Sequence, residues 1–64
     1  MTLGEAFPLE QARLRELLIE YSKISTGMFG SVVIKDCLKR ADKAAIEQDL
    51  PAMIRIYQEM KGIE

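Results

Sequence analysis

Apolar residues recur with a helical period in three separate stretches of this chain. In the first, Leu14, Leu17, Leu18 and Tyr21 fall at i, i+3, i+4 and i+7, which places them on one face of a helix. Phe7 can join that face from just before the helix. Ile19 lies well off the stripe, and Arg13, Arg15, Glu16 and Glu20 occupy the remaining surface. In the second, Val33, Ile34, Cys37, Leu38, Ala41, Ala44 and Ala45 form a broad stripe, whose alanines allow a neighbouring helix close approach. Val32 and Ile46 lie on the other side, among Lys35, Lys39, Asp42 and Lys43. In the third, Leu50, Met53, Ile54, Ile56, Tyr57 and Met60 cover a wide face.

Punctuation sets the boundaries. Thr2 with Glu5 has the spacing of a capping box. Gly4 and Pro8 oppose a helix running through from there, because a proline ring clashes one turn back. The expectation is a short turn, then a helix over 8–22 with Pro8 in its first turn. Lys23 to Gly30 is the first connection, with Ser25, Thr26 and Ser31 as candidate N-caps. Met28 and Phe29 are apolar for a solvent loop and are expected to plug the end of the bundle. The second helix spans 29–48. Asp49 is an N-cap and Pro51 suits the first turn of a third helix over 50–61, which Gly62 stops. The β-branched run Val32-Val33-Ile34 has no apolar partner run, so it stays helical. The fold class is all-α: one domain over 1–64, a three-helix bundle. The short turn at Asp49 makes helices 2 and 3 a tight antiparallel hairpin.

Gln48-Asp49-Leu50, followed by Ile54 and Tyr57, resembles the middle of a tetratricopeptide hairpin over about 20 residues. The resemblance implies a paired-helix turn. Met53 and Met60 stand where that repeat prefers small residues, and there is no second copy, so the likeness is read as a shared way of pairing helices.

Composition narrows the chemistry. A 64-residue chain buries little surface and is marginal without a staple or a partner. Cys37 is the only cysteine and histidine is absent, so neither an internal disulfide nor a structural zinc site is expected. No cofactor is expected either. Oligomerisation or a larger partner remains as the source of help. Catalysis by Cys37 or a serine wants an adjacent base. Cys37 sits between Ile34 and Leu38 and reads as a buried thiol, while Glu16 and Glu20 read as a solvated face. The chain is therefore expected not to be an enzyme.

Lys plus Arg number 9 and Asp plus Glu 10, a formal charge of −1, which argues against a nucleic-acid binder. Lys35, Lys39 and Lys43 still form a basic ridge at i, i+4 and i+8, crossed by Asp36 and Asp42. Gly27-Met28-Phe29-Gly30 has the GxxG spacing of a K-homology loop, but the sheet and basic loop of that module are missing. The longest apolar runs, such as Leu17-Leu18-Ile19, are three residues, against the roughly 20 needed to span a membrane. Met1 to Leu9 does not read as a secretory signal. A lone thiol fits a reducing cytoplasm.

What remains is a surplus of apolar surface. Ile19, Phe29, Val32 and Ile46 lie off the stripes and form the expected partner interface, serving a homo-oligomer or another protein. The alternative is a small nucleic-acid-associated regulator using Lys35, Lys39 and Lys43.

Overall fold

The computed structural model describes residues 2–24 and 28–63, with the backbone alone at Met28. Three helices, α1 (Leu3–Ser22), α2 (Met28–Glu47) and α3 (Leu50–Gly62), all pack on one another. Two helices of 20 residues set the long axis of a body 36 × 20 × 17 Å.

Helix α1 starts five residues earlier than the proline suggests. Thr2 is the N-cap, and its hydroxyl accepts from the Glu5 amide at 3.3 Å. Pro8 lies inside the helix and cannot donate to the Gly4 carbonyl one turn back. An interior proline costs about 3 kcal/mol. Against it stand the cap, worth about 1 kcal/mol, and the burial of Phe7, worth about 2 to 3 kcal/mol. Phe7 is 1% exposed, Ala6 is buried beside it, and Leu3 packs on the core. These contacts outweigh the proline, so the first turns stay helical.

The step from α2 to α3 has a Schellman geometry. The Asp49 amide donates to the Ala44 carbonyl at 3.0 Å and the Gln48 amide to Ala45 at 3.2 Å. Gln48 takes φ 54°, and α2 ends at Glu47, one residue before the expected end. Asp49 then caps α3 as the sequence suggested, its carboxylate accepting from the Ala52 amide at 3.3 Å.

The core joins Phe7 and Leu14 of α1, Ile34, Cys37, Leu38, Ala41 and Ala44 of α2, and Ile56 and Met60 of α3. Ala41 is fully buried, so α2 meets its neighbours closely at that point. Three residues expected on core faces are instead exposed: Val33, Leu50 and Ile54. Each sits at the edge of its stripe, and two neighbouring helices cover only part of the circumference of the third. Ser31, a candidate cap, lies in the second turn of α2 rather than before it. The other two candidates, Ser25 and Thr26, and the expected plug at the Met28 side chain lie outside the described residues. Phe29 does not plug the bundle end, being 81% exposed.

Polar groups fasten the helices laterally. The Gln11 amide and the Arg15 guanidinium both donate to Asp42 Oδ1, at 2.9 and 3.0 Å. Arg40 donates to Asp36 at 3.0 Å and to Glu59 of α3 at 2.8 Å. Arg13 is part-buried rather than a plain surface residue, and it donates to Glu10 and to the end of α3.

Candidate interaction surface

The buried residues of α2, Ile34, Cys37, Leu38, Ala41 and Ala44, define its inner side. At 100° per residue the opposite side carries Val32, Lys35, Lys39, Lys43 and Ile46, all exposed. Two of the four apolar residues drawn from the sequence, Val32 and Ile46, therefore share one strip with the three lysines. Val32 and Ile46 stand at its ends, and 14 helical positions at 1.5 Å each separate them by about 21 Å. Three lysines fill the interval, so these two residues make no continuous apolar patch.

Ile19 and Phe29 sit elsewhere. Ile19 lies on the outward side of α1, 56% exposed, one turn before that helix ends. Phe29 opens α2 at the same end of the bundle, where Gly30 lies against Tyr21. Ile19, Phe29 and Val32 thus share one end, and Ile46 lies at the other. The pattern missed Leu9, Ile24, Val33, Leu50 and Ile54, each at least 42% exposed. Leu9 could have been found from the sequence, because it shares the polar side of α1 with Glu16 and Glu20.

Charge on the α2 strip is set by what its acids do. Asp36 is held by Arg40, which also reaches Glu59, and Asp42 is held by Arg15. Among the described residues none of Lys35, Lys39 and Lys43 makes an ion pair, so the acids that cross the ridge do not neutralise it.

An open groove of about 570 Å³ lies between α2 and α3. Its charged lining is Arg40, Lys43 and Arg55 against Glu47, Asp49 and Glu59. Equal numbers of each sign give it no preference for an anion or a cation. Cys37 is buried at 1% exposure, and burial pushes its thiol up from the ordinary range, with Arg40 pulling the other way. A protonated thiol shut away from solvent is a poor nucleophile. No three Cys, Asp or Glu side chains converge as metal ligands among the described residues, and no described helix is long and apolar enough to cross a membrane.

No protein-family model, curated protein or solved structure matches this chain.

Proposed function

We propose that this chain is a non-enzymatic helical interaction module that buries exposed apolar residues against a second copy or another protein. The observation that carries this reading is the exposure of Phe29 at 81% and Ile46 at 82%, the largest values among the big apolar residues that are described. Isolated exposed apolar residues are ordinary on a small domain. Here they accompany, among the described residues, a core cluster of nine with no disulfide, which favours help from a partner. The site comprises Val32 and Ile46 on the α2 strip with Ile19 and Phe29 at the bundle end.

The test pairs Val32→Asp with Ile46→Asp. Association measured by sedimentation should be lost while the helical circular dichroism is kept. Undiminished association in a folded double variant would remove the α2 strip from the interface.

The uncompensated lysines favour one second reading, a nucleic-acid-associated regulator. Retention on duplex DNA that falls steeply with salt would support it, because phosphate contacts release counterions.

A further inference from the structure

Two strips on this chain match one another in spacing and oppose one another in charge. On α1, Leu9, Glu16 and Glu20 lie at i, i+7 and i+11 and are all exposed, Leu9 at 59%. These intervals hold the three within about 40° on the helix surface. On α2, Val32, Lys39 and Lys43 repeat the same intervals in the chain direction, and Ile46, Lys39 and Lys35 repeat them in reverse. We propose that the lysine strip of α2 docks the Leu9–Glu16–Glu20 strip of α1 from a second copy of this chain. This rests on the interaction-module reading and names its partner.

The occupant follows from charge. Asp36 and Asp42, the acids that cross the strip, are engaged by Arg40 and Arg15, so the strip presents three cations between two apolar ends, with Glu47 beside it at the end of α2. Pairing it with its own copy about Lys39 would set Val32 against Ile46, but also Lys35 against Lys43 and Lys39 against Lys39. Like charges in register oppose that contact. The α1 strip brings an apolar residue and two carboxylates at matching positions. Glu16 makes no ion pair among the described residues, and Glu20 meets only Lys23, at 3.9 Å with both side chains mostly exposed. Such a pair is readily exchanged. A net charge of −1 puts little bulk repulsion between copies.

The contact is intermolecular by geometry. Each strip lies on the outward side of its helix, away from Phe7 and Leu14 on α1 and from Ile34 and Ala41 on α2. No chain can fold its own α1 strip onto its own α2 strip. Two different faces meet, so the association is heterologous and extends into rings or short chains.

The experiment is sedimentation equilibrium of the full chain up to roughly 1 mM, since a contact made of exposed pairs is weak. The expected mass rises with concentration, and the rise shrinks between 0.1 and 1 M salt as the screening length falls from about 10 to about 3 Å. A triple variant, Lys35→Glu with Lys39→Glu and Lys43→Glu, should weaken self-association about tenfold or more. So should Glu16→Lys with Glu20→Lys. An equimolar mixture of the two should associate again, because each reversed strip then finds an opposite partner. Circular dichroism confirms that both variants are folded.

A wild-type chain that stays monomeric throughout would overturn the proposal, as would a mixture that fails to recover. Binding of wild-type monomer to duplex DNA through the same lysines, without self-association, would also overturn it. Association lost in the Val32→Asp, Ile46→Asp variant but indifferent to salt and charge reversal would sink this docking while leaving the interaction module standing.

Discussion

The guanidinium of Arg13 on α1 donates to the backbone carbonyls of Met60 and Ile63 at the end of α3, at 2.6 and 2.9 Å. The last carbonyls of a helix have no intrahelical partner, and they form its negative end. The Met60 carbonyl already accepts from the Ile63 amide at 3.1 Å, and Arg13 adds further donors and a positive charge from another helix, with Glu10 holding it at 2.6 Å. Arg13→Ala should cost about 1 to 2 kcal/mol, below the full value of a charged hydrogen bond because the side chain is 39% exposed. Arg13→Lys keeps the charge but loses the fork, so it should recover less than half of that. Urea midpoints measure both, and an unchanged midpoint in Arg13→Ala would show that the contact contributes nothing.

Gln48 adopts φ 54° at the Schellman position, where glycine is favoured and a side chain meets strain. Gln48→Gly should therefore stabilise the chain by about 0.5 to 1 kcal/mol even though it frees the unfolded backbone. Gln48→Val should destabilise it. If thermal melting shows Gln48→Gly to be the weaker protein, the strain is not there.

At Gly30 the opposite holds. A Cβ there would lie 2.9 Å from Tyr21 Cδ2 and 3.0 Å from Cε2. Gly30→Ala gains about 1 kcal/mol of helix propensity, but the ring must move, and overpacking costs about 1 to 3 kcal/mol. The expected net is a loss of up to about 2 kcal/mol. In a Tyr21→Ala background the ring is gone and Gly30→Ala should become stabilising. A double-mutant cycle by chemical denaturation checks the change of sign.

Burial of Cys37 raises its thiol, with Glu59 and Asp36 adding to the effect and Arg40 opposing it. The folded chain then holds this proton more tightly than the unfolded chain does. Stability from this group is complete below the unfolded thiol range and is lost as pH rises through the higher folded value. Cys37→Ala should flatten that alkaline loss relative to the wild type, as read from urea midpoints across the range. At neutral pH, modification of Cys37 by a disulfide reagent should be at least about a hundredfold slower than in denaturant, because it awaits opening of the bundle. Rapid modification of the folded chain would contradict the buried position.

Much of the fold was legible in the local pattern. Leu14, Ile34, Cys37, Leu38, Ala41, Ala44, Ile56 and Met60 repeat at helical intervals, and all are buried. Asp49 and Pro51 marked the turn into α3, because capping is a short-range hydrogen-bonding event. The start of α1 was harder to read. Thr2 and Glu5 carried the right signal, yet Pro8 argued against it, and the burial of Phe7 that decided the matter is a contact between helices.

By itself the sequence determined three helices, their inner stripes and the hairpin between α2 and α3, since periodicity and capping act within a few residues. Tertiary structure alone decided which stripe edges stay in water, leaving Val33, Leu50 and Ile54 exposed. It alone brought Arg13 to carbonyls 47 and 50 residues away. It also gave Asp42 to Arg15 on α1 and tied Arg40 both to Asp36 and to Glu59 on α3, which left Lys35, Lys39 and Lys43 without acid partners among the described residues. A helix records its own period in its sequence. Its rotation against its neighbours is set by packing across the bundle, and so are the partners its polar groups meet.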